Sequence, residues 1–100
     1  MTHPEVLKTI TEKNFLQTVK GLARRLGYLT YHTYDSRRSD PGFPDLVLAK
    51  IPRVIWIECK SEKGALTEAQ WIWIDILKQC GREVYVIRPS MWDELVDILS

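Results

Sequence analysis

Pro44-Asp45-Leu46-Val47-Leu48-Ala49-Lys50-Ile51-Pro52-Arg53-Val54-Ile55-Trp56-Ile57-Glu58-Cys59-Lys60 is the stretch whose reading decides the fold. It holds two apolar runs with strand composition, separated by Ile51-Pro52. So short a connection predicts an antiparallel hairpin of strands over 45–50 and 53–59. In a hairpin, the start of the first strand lies beside the end of the second. Asp45 is therefore expected next to Glu58 and Lys60. Side chains alternate along a strand, which puts Val54, Trp56, Glu58 and Lys60 on one face and Ile55, Ile57 and Cys59 on the other. Both faces are apolar until the last residues, so the strand reads as buried on both sides. Charged groups at such a strand end are costly unless something compensates them.

Working outward from the hairpin, residues 1–10 read as a loose lead-in. A helix is predicted from Thr11, as N-cap, to Leu26. Its apolar stripe is Phe15, Leu16, Val19, Leu22, Ala23 and Leu26, and Gly27 suits its end. Lys20, Arg24 and Arg25 fall off that stripe and read as a solvated face. Glu12 falls on the stripe, either as a wet first-turn glutamate favouring the helix dipole or as a third carboxylate pointing at the sheet. Tyr28 to His32 has strand composition, and a long polar loop, Thr33 to Pro44, follows. Thr67 and Gln70 form a capping box for a second helix, with Leu66 and Trp71 as a hydrophobic staple and Gly81 as the stop. Glu83 to Arg88 is a strand, and Ser90 is expected to cap a last helix. The order α-β-β-β-α-β-α predicts one domain over 1–100: a mixed, hairpin-containing sheet with helices on both faces, a three-layer α/β/α architecture.

Composition narrows the function classes. A 100-residue chain with 45% hydrophobic and 27% charged residues is a small globular domain, and no apolar run has the length of a bilayer span. The start lacks the basic and apolar blocks of a signal peptide, and two cysteines do not make a disulfide framework. A cytoplasmic setting, bacterial or in a phage-infected host, is the expectation. A net charge of +1 does not announce a nucleic-acid binder, so any such function needs a local basic patch.

Two carboxylates and a lysine at adjoining strand ends suit phosphodiester hydrolysis. That reaction needs an activated water and a sink for charge on the phosphate, and a carboxylate-bound hard cation supplies both. Mg²⁺ takes oxygen ligands in octahedral geometry and keeps several waters. Asp45, Glu58 and the backbone carbonyl of Cys59 would leave positions open. The Cys59 thiol points to the other face and reads as core filler. Lys60 would hold the attacking water or stabilise the transition state as a fixed positive charge. The competing reading is an ion pair of Lys60 with Asp45 or Glu58 at the sheet edge.

Residues 11–90 resemble the VRR-NUC family, a branch of the PD-(D/E)xK, restriction endonuclease-like superfamily. The segments that carry the resemblance are Glu12, Tyr31-His32 with Ser36-Arg37, and Gly42-Phe43-Pro44-Asp45. Glu58-Cys59-Lys60-Ser61-Glu62-Lys63-Gly64, Leu66-Thr67 with Gln70, and Val84-Tyr85-Val86 with Arg88-Pro89 complete the set. The resemblance implies an αβββαβ core, here followed by a C-terminal helix, and a Mg²⁺- or Mn²⁺-dependent nuclease. It implies that Asp45, Glu58 and the Cys59 carbonyl bind metal and that Lys60 is the catalytic lysine. Glu12 would bind a second ion or orient metal-bound water. Gln70 would stand behind the ligands, which is compatible with its capping role.

Ser36-Arg37-Arg38 reads as a solvated loop or, before Pro44-Asp45, as a phosphate contact, with Lys63 on the other side of the site. His32 is either a strand histidine held by a neighbour or part of the site's surroundings. The tryptophans are core by spacing, with Trp73 the candidate for a subunit contact. The leading expectation is a metal-dependent endonuclease acting on branched DNA, such as a Holliday junction or flap, as a two-fold homodimer. The alternative is a non-catalytic nucleic-acid-binding module that keeps the fold. A small-molecule phosphohydrolase is disfavoured, since no glycine-rich phosphate cradle is present.

Overall fold

The computed structural model describes residues 4–33 and 39–100. The Ile51–Pro52 turn closes the expected hairpin, β2 (Leu46–Lys50) against β3 (Arg53–Cys59), with Leu46 opposite Ile57 and Lys50 opposite Arg53. β1 (Leu29–His32) pairs antiparallel with the outer edge of β2. β4 (Glu83–Ile87) pairs parallel with β3, giving a four-stranded mixed sheet in the order β1-β2-β3-β4. A parallel neighbour requires a crossover, and α3 (Glu68–Gln79) supplies it.

Alternation sorts the two faces. Leu46, Leu48, Ile55, Ile57, Cys59 and Ile87 are fully buried. They form one core with Phe15, Leu16, Val19 and Ala23 of α2 (Glu12–Arg25) and Leu95 and Leu99 of α4 (Trp92–Leu99). The opposite face carries Val84, and Ile74 of α3 is buried outside that main core. Helices thus cover both faces, an α/β fold of the restriction endonuclease-like kind. Cover on the second face is incomplete: Leu29, Tyr31 and Val54 are exposed, so β3 is buried on both sides only toward its end. The Arg53 guanidinium ties the hairpin to β4 through two bonds to Glu83, 2.9 and 2.7 Å, and reaches the Tyr28 hydroxyl at 3.1 Å. Tyr28 in turn donates to the Leu99 carbonyl.

Helix boundaries follow the sequence closely, with exceptions that have physical causes. α2 starts on Thr11, whose hydroxyl accepts from the Asn14 N–H, and Gly27 follows it at φ +92°. Within the lead-in, Pro4–Leu7 forms one short helix, α1. Lys20 is buried at 8% exposure, contrary to a solvated placement. α3 carries both bonds of the capping box. Its inward residues are Gln70, Trp73, Ile74 and Leu77, which turns Trp71 outward at 56% exposure instead of into a staple. Trp73, proposed for a subunit contact, meets Phe43 edge-on within the chain, with ring centroids 5.0 Å apart. Ser90 does not cap α4 with its side chain. A 3₁₀ turn, Pro89–Met91, precedes α4, and the Ser90 N–H donates to the Glu62 carboxylate.

Candidate active site

One step beyond the Leu46–Ile57 pair, the same register places Asp45 opposite Glu58. Two hydrogen bonds fix Asp45. Its carbonyl accepts from the Thr33 N–H at 3.2 Å, and its Oδ2 accepts from the Cys59 N–H at 2.9 Å. The approach to Asp45 is held by Gly42, at φ +90°. A Cβ at that position would lie 2.3 Å from the Ala69 carbonyl oxygen, so only glycine lets this loop lie against the start of α3. Phe43 on Trp73 anchors the same segment.

Glu58 is 1% exposed. Its Oε2 accepts from Gln70 Nε2 at 3.2 Å and lies 3.9 Å from Lys60 Nζ. Its Oε1 is buried and, among the described residues, receives no hydrogen bond. Burial pushes the Glu58 pKa up to about 9, the neighbouring Asp45 charge adds to the rise, and Lys60 opposes it. The carboxyl is thus kept from ionising by burial beside a like charge.

Lys60 is itself buried, and its ammonium lies 3.6 Å from Glu12 Oε1 at the first turn of α2. Glu12 therefore does face the site, reaching it through Lys60 while remaining half exposed. The turn that follows, residues 61–64, is clasped by Arg88, whose Nη1 donates to the carbonyls of Ser61, Glu62 and Gly64 at 2.8, 3.3 and 2.7 Å. The spacing of the motif gave no hint of this clasp. Its only trace is Arg88 itself, half-buried just after β4 and part of the resemblance. Cys59 turns its thiol into the main core, where burial raises its pKa. Lys63 is exposed within the clasped turn. Ser36, Arg37 and Arg38 lie outside the described residues. His32 lines a cleft next to Asp45; burial lowers its pKa, Lys20 lowers it further, and Asp45 acts the other way.

Two carboxylates, Glu12 and Glu58, thus flank a single ammonium, and Asp45 stands opposite Glu58. Among the described residues no three His, Cys, Asp or Glu side chains form a ready-made metal cage. The donor set is Asp45, Glu58 and backbone. The buried, undonated Oε1 of Glu58 beside Asp45 fits a hard divalent cation, which would relieve the repulsion and accept that lone pair.

A family model for the VRR-NUC domain matches residues 5–91, so the chain belongs to the VRR-NUC family and carries a nuclease-type domain. A solved structure named as a VRR_NUC domain protein is similar in fold, with a TM-score of 0.67 and 20% identity over 91% of each chain. No curated protein sequence matches this chain. Among the described residues no helix is long and apolar enough to cross a membrane.

Proposed function

We propose that this domain is a Mg²⁺- or Mn²⁺-dependent deoxyribonuclease that cuts branched DNA. The observation that carries the reading is the Asp45–Glu58 carboxylate pair, in which Glu58 is buried with one oxygen undonated. Asp45, Glu58 and the Cys59 carbonyl hold the ion. When bound, such an ion activates water and offsets charge on the phosphate. Gln70 fixes the Glu58 carboxylate by its hydrogen bond to Oε2, leaving Oε1 undonated. Lys60, held between Glu12 and Glu58, presents a positive charge to the attacking water or to the developing charge on the phosphorus oxygens. Glu12 binds a second ion or orients that water. Arg37, Arg38, Ser36 and Lys63 contact the DNA backbone.

The proposed substrate is recognised by shape: a Holliday junction or flap. A two-fold homodimer in a bacterial or phage-infected cytoplasm suits paired cuts at a junction. Exposed Leu29, Tyr31 and Val54 on the sheet and Trp71, Ile72 and Ile76 on α3 provide apolar surface for such a contact.

Purified protein with Mg²⁺ or Mn²⁺ is to be tested on four-way junctions, flaps, single strands and plain duplex. Junctions or flaps are expected to be cut in preference to duplex. Asp45→Ala and Lys60→Ala are expected to lower cutting by roughly 10²-fold or more without unfolding the chain. Folded protein that cleaves none of these substrates contradicts the proposal.

A further inference from the structure

A cleft of about 370 Å³ opens beside the carboxylate pair. Asp45 and Glu12 line it on the side of the site. One wall is the first turns of α2, with Lys13 and Gln17, and the other is the end of β1, with His32 and Thr33. This volume falls at the lower end of ligand clefts, which span roughly 300–1,000 Å³. It suits one nucleotide unit, not a base pair.

The lining has an electrostatic logic. A polyanion must approach a site rich in carboxylates, so cations are needed at its rim. Lys60 is committed to Glu12 and Glu58, and Lys20 is buried. Lys13 is the exposed ammonium that lines the cleft. Gln17, four residues on, stands one turn along on the same side of α2. Neither side chain has a hydrogen-bond or ion-pair partner among the described residues. An ammonium and an amide, unpartnered and one turn apart above a metal-fitting acid pair, make a fitting grip for phosphate oxygens.

The geometry points to a nucleotide subsite: the cleft takes one nucleotide of the cut strand next to the scissile phosphate, with Lys13 and Gln17 on its phosphate and His32 and Thr33 against its sugar and base. The inference rests on the nuclease reading, but its binding test does not depend on cleavage.

The test titrates a labelled four-way junction and a labelled single strand onto the full chain with Ca²⁺ in place of Mg²⁺. Lys13→Ala combined with Gln17→Ala is expected to weaken binding about three- to tenfold. The slope of log affinity against log salt is expected to become shallower by about 0.7–0.9 for the lost phosphate contact. Lys13→Arg restores both, and Lys78→Ala, at the far end of α3, changes neither. With Mg²⁺, the loss is expected in KM and not in kcat. Both positions are exposed, and a thermal melt of each variant checks its fold. A Lys13→Ala/Gln17→Ala chain that binds with the affinity and salt slope of the parent overturns the subsite, even if the parent cuts DNA. A parent that cuts nothing while the binding difference stands overturns the nuclease reading and leaves the subsite intact.

Discussion

Asp45 stands opposite Glu58 across the β2–β3 ladder, with the Cys59 N–H donating to Asp45 Oδ2 at 2.9 Å. Like charges facing each other on adjacent strands are destabilising, and here one of them is almost fully buried. Under the proposed function, a cation shared by the two carboxylates would offset that cost.

Glu58→Gln keeps the shape and the Gln70 neighbourhood but removes the charge. Because the folded pKa of Glu58 is raised above its ordinary 4.5 to about 9, its contribution to stability is full below about pH 4.5. That contribution is lost as pH rises toward 9. In metal-free buffer the variant is expected to be more stable than the parent at pH 8, by about 1–4 kcal/mol, with the gap closing at pH 4. Denaturant melts at the two pH values measure this, and a destabilised variant at pH 8 contradicts it. DNA cutting is expected to disappear in the same variant.

Gln70 has two duties that one substitution separates. Its side-chain oxygen accepts from the Thr67 N–H at 2.9 Å, and its amide nitrogen donates to Glu58 at 3.2 Å. Gln70→Glu keeps the capping box but replaces the donor with a further carboxylate. Helix stability is expected to hold within about 1 kcal/mol, while cleavage falls at least tenfold. Equal loss in both readouts would mean that Gln70 acts only as a cap.

Gly42→Ala places a methyl against the Ala69 carbonyl in a backbone conformation at φ +90°. A cost of about 1–3 kcal/mol is expected for the strain. Cleavage is expected to drop further than the melting temperature explains, because the loop that delivers Asp45 must move. Activity measured well below the variant's melting temperature separates the two effects.

Arg53 and Glu83 test the fold without touching the site. The Arg53 bonds hold the Glu83 pKa below its ordinary value, with burial acting against them. That stabilisation is present above about pH 4.5 and is lost as pH falls through the lowered folded value. Arg53→Ala is expected to cost about 1 kcal/mol at neutral pH, discounted for partial exposure. The cost shrinks in acid, and cleavage at 25 °C is kept. Loss of cleavage in a folded Arg53→Ala chain would show that the sheet end and the site are coupled.

Much of this arrangement was legible in the sequence, and for one reason. A two-residue turn between two apolar runs fixes the hairpin register, and the register carries Asp45 to Glu58. The Thr67–Gln70 box was equally direct, because both its bonds are local. What escaped was set by tertiary contacts. α3 rotates Gln70 inward toward Glu58, which pushes Trp71 into solvent and brings Trp73 onto Phe43. Ser90, expected to cap the last helix with its side chain, instead sits in a 3₁₀ turn and donates its N–H to Glu62 from a distant turn. Lys20, read as solvated, is buried: it lies four residues after Leu16 and three before Ala23, on the flank of the stripe that packs inward.

A crystal of the protein soaked in Mn²⁺, examined by anomalous scattering, tests the central claim most directly. The expected result is a strong peak between the carboxylates of Asp45 and Glu58, with the Cys59 carbonyl in its coordination sphere. The same crystals grown from Glu58→Gln protein are expected to lose it. Well-diffracting crystals of the parent at millimolar Mn²⁺ with no peak between those two carboxylates would contradict the account.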